Sequence, residues 1–276
     1  MHFVCFVKQV PDTAEVKIDP ETNTLVRAGV ESISNPYDTV AVEAAVRLKE
    51  RFGGKVTAVS MGPPQAEQSL RECLSLGADE AILVSDRAFA GSDTLATSYT
   101  LSKVLERIGE VHPVDVVLCG KQAIDGDTAQ VPPGIATRLG LTQLTYILEV
   151  LDLTPETITV RRMVENGTEI IRGKLPALLT AELELAKPRR APLPRLMWAM
   201  QTRVETWNAE RLGADPQKLG LKGSPKWVRK IGSPPVRQGG PSFVAGADPA
   251  AAVAQALDTL MADPVYAAKL LKRWEV

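Results

Sequence analysis

Residues 114–119, VDVVLC, run directly into residues 120–131, GKQAIDGDTAQV, and this stretch decides the fold. The first part is a short, valine-rich apolar run, which predicts a buried β-strand. The second part is a loop with two glycines that leads into the start of a helix. A strand, a loop and a helix start in this order leave backbone N–H groups free to bind an anion. The stretch therefore predicts a phosphate-binding loop beyond the carboxyl end of a strand.

Within this loop, the spacing of Asp127 and Gln130 resembles a capping box and predicts a helix that starts at Thr128. Asp125 and Asp127 are interpreted as turn and cap residues and not as metal ligands, because no third ligand lies near them in the sequence. We expect both carboxylates to turn back onto the loop, leaving backbone N–H groups and the Thr128 hydroxyl for phosphate. The pattern is neither a Walker A loop nor a G-x-G-x-x-G fingerprint. The candidate cofactor-binding residues here are Gly120, Lys121, Gln122, Ala123, Ile124, Asp125, Gly126, Asp127, Thr128, Ala129, Gln130 and Val131.

Towards the N-terminus, short β-prone runs alternate with helical patterns. The predicted strands are Val4–Val10, Lys55–Ser60, Ala81–Val84 and Val114–Cys119, and the predicted helices are Asp38–Arg51, Gln65–Leu76 and Thr94–Ile108. A small hairpin over residues 17–19 and 24–26 interrupts this rhythm. Alternation of this kind predicts an α/β fold with a mainly parallel, doubly wound sheet.

Beyond residue 140 the pattern changes to four consecutive β-prone runs, Gln143–Val150, Thr157–Met163, Thr168–Arg172 and Ala177–Leu183. The Asn166-Gly167 step is a strong hairpin signal. We therefore predict that antiparallel strands extend the sheet.

The remaining chain is rich in proline, arginine and glycine, which predicts an extended C-terminal arm without its own core. Two helices, Asp248–Met261 and Pro264–Trp274, are predicted near its end, the first capped by Asp248. The predicted organisation is an α/β domain over residues 1–185, a loop over 186–200, and the arm with its helices over 201–276.

Composition excludes several classes of function. Lys+Arg 32 against Asp+Glu 33 gives a formal charge of -1, so no global field attracts nucleic acid. The only histidines, His2 and His112, do not support a histidine-based metal site or a Ser/His/Asp triad. Three dispersed cysteines indicate buried thiols in a reducing compartment. No apolar run is long enough for a membrane span, and a cytoplasmic protein is expected.

A second candidate segment is SNPYD at residues 34–38, just before the first long helix. Asn35 precedes Pro36 and is therefore held extended, and Asp38 can cap the helix that follows. The pattern alone leaves open whether this segment is a helix-entry turn or part of a binding site.

At these segments the chain resembles the electron transfer flavoprotein β family, which includes the FixA-type proteins. The resemblance covers roughly residues 1–200 in order, through Val7–Asp12, Asn35–Asp38, Ala41–Lys49, Val59–Pro63, Leu76–Asp79, Gly120–Val131, Leu175–Ala177 and Pro188–Met197. It implies a Rossmann-like domain that binds an adenine nucleotide and pairs with an α subunit carrying FAD. The contacts it implies for that nucleotide are Phe6, Asn35, Pro36, Tyr37, Asp38, Met61 and the whole of Gly120–Val131.

The resemblance implies either of two nucleotides in the β subunit. The form of residues 124–131 is closer to the branch that holds a redox-active FAD, which accepts hydride from NADH in electron bifurcation. Pro132-Pro133 departs from that branch, and the alternative is a structural AMP. Met163 stands where the family often has an acidic residue that pairs with the α subunit.

Residues 186–200 resemble the family's recognition loop, in which a leucine anchors partner dehydrogenases of the acyl-CoA type or other flavin dehydrogenases. Leu193 stands at that position. In this interpretation the protein is an electron carrier subunit in which the cofactor does the redox chemistry and no side chain is catalytic. A nucleotide-hydrolysing or adenylating enzyme would need a pyrophosphate loop after the first strand, and residues 8–11, KQVP, do not form one.

Overall fold

A computed structural model describes residues 1–12, 17–18, 25–26, 32–226, 248–264 and 267–268. The chain forms two compact units, Met1–Ile231 and Gly232–Val276. Among the described residues, no helix combines the length and the apolar character needed to cross a membrane.

The first half of the larger unit contains β1 (His2–Phe6), β2 (Gln9–Pro11), β3 (Lys17–Ile18), β4 (Leu25–Val26), β5 (Ser32–Ser34), α1 (Pro36–Phe52), β6 (Lys55–Met61), α2 (Glu67–Leu76), β7 (Glu80–Val84) and α3 (Thr94–Gly109). Its second half contains β8 (Val116–Gly120), α4 (Val131–Leu139), β9 (Thr142–Leu153), β10 (Thr157–Val164), β11 (Gly167–Lys174), β12 (Ala177–Ala181), α5 (Leu193–Gln201) and β13 (Glu205–Trp207). The smaller unit contains α6 (Pro249–Met261).

A nine-stranded sheet in the order β11-β10-β9-β12-β8-β1-β6-β7-β13 organises the larger unit. Neighbouring strands are parallel along the part of the sheet that runs β9-β12-β8-β1-β6-β7-β13. At the other edge, β10 pairs antiparallel with both β9 and β11. The predicted α/β class and mainly parallel sheet are confirmed. The paired β3 and β4 also confirm the predicted small hairpin.

Both faces of the sheet are covered by helices, which makes the fold doubly wound. Along β1, Phe3 and Cys5 pack on the side of α1 and α2, while Val4 and Phe6 pack on the side of α3 and α4. This alternation follows from the period of two in a β-strand. Because both faces are covered, β1 consists of buried residues throughout.

Three predicted details of the strands are corrected. The first strand ends at Phe6, and residues 9–11 form the separate β2, which pairs with β5. The last of the four predicted antiparallel strands, β12, is parallel and lies between β9 and β8, so local sequence identified the strand but not its neighbours. The β10–β11 hairpin is present, but its turn residues are Glu165 and Asn166, because Gly167 already pairs with Val164.

The chain beyond residue 185 also differs from the prediction. Residues 193–201 are helical, where a loop was expected. β13 pairs with β7, and Trp207, Leu212 and Leu219 are buried in the core beside α3. The sheet and core therefore extend past the predicted end of the α/β domain.

In the smaller unit, the predicted cap of α6 is confirmed. The Asp248 carboxylate accepts hydrogen bonds from the backbone N–H groups of Ala250 and Ala251, with Pro249 in the first turn. Most of the predicted helix over residues 264–274 lies outside the described residues.

Candidate functional site

The candidate site lies where the carboxyl ends of three adjacent parallel strands meet. β1 pairs with β6 on one side and with β8 on the other. Phe6 is the last residue of β1, Met61 the last of β6, and Gly120 the last of β8. Parallel α/β sheets bind ligands beyond this edge, so the fold places these three sequence-predicted residues where a ligand would be expected.

Asn35 and Asp38 join the loops that follow β1 and β8. The Asn35 Nδ2 donates to the Gln122 carbonyl at 2.8 Å, and the Ile124 N–H donates to Asn35 Oδ1 at 3.2 Å. The Asp38 carboxylate accepts from the Lys8 N–H at 2.8 Å and from the Gly120 N–H at 2.9 Å. These side chains replace backbone partners that the ends of the strands lack.

The position of Asp38 corrects the predicted helix cap. α1 begins at Pro36, with Asn35 at the N-cap, so Asp38 lies within the first turn. Burial raises the pKa of Asp38 to about 6, against the opposing effect of the hydrogen bonds from the Lys8 and Gly120 backbone. The carboxylate is therefore a buried structural acceptor.

Gly120 has no room for a side chain. A β-carbon there would lie 2.5 Å from the Tyr37 Cβ and 2.5 Å from Asp38 Oδ1. The glycine thus allows α1 and the end of β8 to approach closely, which brings the two predicted segments into one site.

The predicted capping box in the loop is wrong. α4 begins at Val131, and its N-cap residue Gln130 makes no side-chain cap hydrogen bond. The Asp127 carboxylate instead accepts from Gln122 Nε2 at 2.8 Å, and Gln130 Oε1 accepts from the Thr94 hydroxyl at 3.0 Å. Both side chains thus accept hydrogen bonds from other side chains, and the spacing of Asp127 and Gln130 does not reveal these partners.

The backbone before α4 is a candidate anion cradle. Asp127 and Ala129 adopt left-handed conformations with φ of 48° and 53°. Within the described part of the chain, the N–H groups of Thr128, Ala129 and Gln130 donate no hydrogen bond, and the Thr128 hydroxyl makes none either. Left-handed residues in a turn direct successive N–H groups into a concavity that suits an anion. A left-handed alanine costs of order 1–3 kcal/mol, a strain typical of functional loops.

Charged side chains around the loop are paired. Asp127 turns back onto the loop as predicted, but Asp125 does not: it forms an ion pair with Lys8, outside the loop, at 2.7 Å. Lys121 forms an ion pair with the buried Glu182 at 2.9 Å. The pairing of Asp125 with a cation reduces the repulsion that a phosphate would meet. Ala123, Ile124 and Gly126 complete the loop, the first two half-buried and the third exposed.

Sequence analysis missed three residues of this neighbourhood, Lys8, Tyr146 and Glu182. The Lys121 ammonium lies 5.2 Å from the Tyr37 ring centroid and 5.9 Å from that of Tyr146. Tyr146 is at a bulge in β9 with φ of 58°, and its N–H donates to the Thr180 hydroxyl at 2.9 Å. A bulge can redirect a side chain towards a site. A tyrosine in an ordinary alternating strand gives no such signal in the sequence.

Leu193 lies elsewhere, on α5, which packs along α2. It is the first residue of that helix and is 68% exposed. Within the described residues, no group of three or more His, Cys, Asp or Glu side chains could hold a metal ion. Cys5, Cys73 and Cys119 are free and buried.

Comparison with known proteins bears on this geometry. Residues 22–212 match the model of the electron transfer flavoprotein domain. The chain belongs to the electron transfer flavoprotein family. It is 46% identical over 262 residues to Protein FixA of Bradyrhizobium diazoefficiens, covering 93% of this chain and 91% of that protein. It is 50% identical over 240 residues to Protein FixA of Azotobacter vinelandii, covering 86% and 85%.

A third relative is the electron transfer flavoprotein subunit beta of Clostridium acetobutylicum, which is 47% identical over 237 residues and covers 86% of this chain and 90% of that protein. These matches assign the chain to the electron transfer flavoprotein β and FixA group and confirm the predicted family. Electron transfer flavoprotein β subunits pair with α subunits, and the family associates with flavin and nucleotide cofactors.

Proposed function

We propose that this electron transfer flavoprotein β subunit holds FAD at the loop 120–131 and carries electrons between a flavin dehydrogenase and an acceptor. The observation that carries the proposal is the turn Asp127–Gln130, in which Asp127 and Ala129 are left-handed and the N–H groups of residues 128–130 have no partner in the described part of the chain. It lies beyond the carboxyl ends of β1, β6 and β8. Free N–H groups beside a helix start are a recurrent way to bind phosphate.

The loop residues supply binding and orientation. Thr128 contributes a hydroxyl beside the free N–H groups, while Asn35 and Asp38 hold the loop against the end of β1. In this proposal Phe6, Met61 and the segment Pro36–Tyr37 form the inner side of the site, and Tyr37 lies against Gly120. FAD, when bound, supplies hydride and electron transfer, and the side chains need only position it and exclude water.

AMP is the alternative occupant, in a subunit that carries no electrons itself. The same cradle fits a phosphate of either nucleotide. The form of residues 124–131, which is closer to the FAD-holding branch, favours FAD. With FAD in place, NADH would be the hydride donor in electron bifurcation.

We further propose that Leu193 anchors a partner dehydrogenase of the acyl-CoA type or another flavin dehydrogenase. A leucine that is 68% exposed on a helix following a proline-rich segment loses little entropy on docking. Residues 201–276 contribute the part of the chain that packs on the α subunit. The pairing of β13 with β7 restricts that role to the residues after the core segment 205–219. The cytoplasm is the proposed location.

The nucleotide content of the purified heterodimer tests the proposal. The chain is co-expressed with its α subunit, the complex is denatured, and released FAD and AMP are quantified per heterodimer. Two FAD and no AMP support the proposal. One FAD and one AMP support the alternative, and one FAD with no second nucleotide contradicts both.

A further inference from the structure

A pair of arginines fastens α5 to α2, and each arginine binds the C-terminal end of the other helix. Arg71 of α2 donates through Nη1 to the carbonyls of Ala199 at 2.8 Å and Met200 at 3.0 Å. Arg195 of α5 donates through Nε to the Leu74 carbonyl at 2.8 Å and through Nη2 to the Ala78 carbonyl. The arrangement is therefore reciprocal.

The Ala199 and Met200 carbonyls lie in the last turn of α5, where no further N–H group of the helix follows to bind them, and a cation there also interacts favourably with the helix dipole. At the end of α2, the Leu74 carbonyl also accepts from the Gly77 N–H at 3.2 Å, and Ala78 follows the helix. α5 has nine residues and is too short to be stable alone in water. Its conformation therefore depends on the contacts that it makes with α2.

Both guanidinium groups are themselves held in place. Glu67 Oε1 accepts from Arg71 Nε at 2.9 Å and from Nη2 at 2.5 Å, one turn earlier on α2. The Arg195 guanidinium lies 3.8 Å from the ring centroid of Trp198, on its own helix. A planar guanidinium held along one edge presents its remaining N–H groups in a defined direction, which an ammonium cannot do.

The helix so fastened presents an apolar surface to solvent. Leu193, Met197 and Met200 are 68%, 57% and 63% exposed, although Ala199 on the inner side is fully buried. Exposed apolar surface of this kind on a short helix marks an interaction site. Binding by a surface that is already ordered costs less entropy than binding by one that must fold first.

We propose that Arg71 and Arg195 are positioning residues that hold α5 in its docking conformation for the partner dehydrogenase. The proposal rests on the proposed docking role of Leu193 and adds its physical basis, a preformed helix. Both arginines bind backbone carbonyls where α2 and α5 meet, so the proposal has them act through the order of α5.

The test uses the α/β heterodimer with Arg71→Met, Arg195→Met, Arg71→Lys and, as a control on the docking surface itself, Leu193→Ala. Hydrogen exchange of the amides of residues 196–202 reports the order of α5. Electron uptake from an acyl-CoA dehydrogenase reduced by its acyl-CoA substrate, over a range of dehydrogenase concentrations, gives KM and kcat. Released nucleotide reports the cofactor site.

We expect Arg71→Met and Arg195→Met to speed amide exchange by roughly tenfold or more, because each removes at least one charge-assisted hydrogen bond. KM for the dehydrogenase should rise by a similar factor while kcat and nucleotide content stay unchanged. Arg71→Lys should change the amide exchange rate and KM less than Arg71→Met does. Leu193→Ala should raise KM without changing amide exchange.

Unchanged amide exchange in both methionine variants would overturn the positioning role. The role would also be overturned if the methionine variants exchange faster but keep the wild-type KM while Leu193→Ala raises KM. Docking would then not need an ordered helix. If Leu193→Ala and both arginine variants leave KM unchanged, the proposed docking role itself fails and the inference fails with it.

Discussion

Replacing Asp38 by asparagine should change the way in which stability depends on pH. The Asp38 carboxyl has a usual pKa of 3.8, which burial raises to about 6 in the folded protein. Below pH 3.8 the group is protonated in both the folded and the unfolded states. As pH rises from about 4 to 6, the unfolded chain releases its proton first, so this group lowers the free energy of unfolding over that window.

The expected magnitude follows from the size of the shift. A difference of about 2 pKa units, at 1.36 kcal/mol per unit, amounts to about 3 kcal/mol. The side chain is 6% exposed, so solvent screening reduces this value little. The amide that replaces the carboxyl in D38N does not titrate, and the stability of wild type relative to D38N should therefore fall by about 3 kcal/mol between about pH 4 and pH 7.

The assay is thermal and urea unfolding of the α/β heterodimer, wild type and D38N, at several pH values with saturating nucleotide. Asp152→Asn, at an exposed position on β9, is the control and should leave the pH profile of the wild type unchanged. A difference between wild type and D38N that stays constant from about pH 4 to pH 7 would refute a buried carboxylate with a raised pKa. D38N should also lower nucleotide occupancy, because its amide can replace only one of the two acceptor oxygens that Lys8 and Gly120 use.

Further predictions concern the loop, the docking residue and the arm. Thr128→Val should lower the nucleotide content of the purified heterodimer, by a factor that corresponds to a loss of about 1 kcal/mol of binding free energy. The control Thr168→Val, on β11, should leave the content unchanged. Equal contents in the two variants would argue against a phosphate contact at Thr128. Leu193→Ala should slow electron exchange with the dehydrogenase several-fold and leave bound nucleotide unchanged, as followed by flavin absorbance, and an unaltered rate would remove the anchor. Deletion of residues 232–276 should weaken the heterodimer, measured by analytical ultracentrifugation, without unfolding the larger unit; a complex of unchanged affinity would show that this segment is dispensable.

The sequence predicted the parts of the fold that depend on local pattern. Apart from β2 and β5, the strands and helices from β1 to β8 follow local sequence pattern, and the period of a strand or helix is a property of a few consecutive residues. The order of strand, loop and helix after β8, on which the proposed phosphate site rests, was predicted for the same reason, since these parts are adjacent in the chain. The same holds for the cap at Asp248, where the cap and the N–H groups that it binds lie within three residues.

What the sequence could not predict depends on partners distant in the chain. β12 was assigned as antiparallel because it follows a hairpin, but its place between β9 and β8 is decided by a crossover. Asp38 was assigned as a helix cap, whereas its partners lie 30 and 82 residues away. The capping box failed because Gln130 binds Thr94, 36 residues away, and Asp127 binds Gln122, five residues away in the same loop. Apart from the Asp127–Gln122 contact, these partners lie outside any short window of sequence.

The structure also shows why α1 matters for both proposed sites. Its first turn carries Asp38, which holds the nucleotide loop. Its middle carries Glu43, 1% exposed, which accepts hydrogen bonds from Arg189 at the base of the segment leading to α5. Near its end, Lys49 binds Asp79 and the Gly77 carbonyl, next to the Ala78 carbonyl that Arg195 uses.

One helix thus contacts the proposed nucleotide loop at one end and the residues that support the proposed docking helix along the rest of its length. Glu43 is nearly fully buried and pairs with both Arg47 and Arg189, so replacing it removes the acceptor that those two arginines share. Changes inside α1 should therefore affect nucleotide binding and partner docking together. Changes at Thr128 or at Arg71 should affect only one of them, because each acts on its own side of this shared helix.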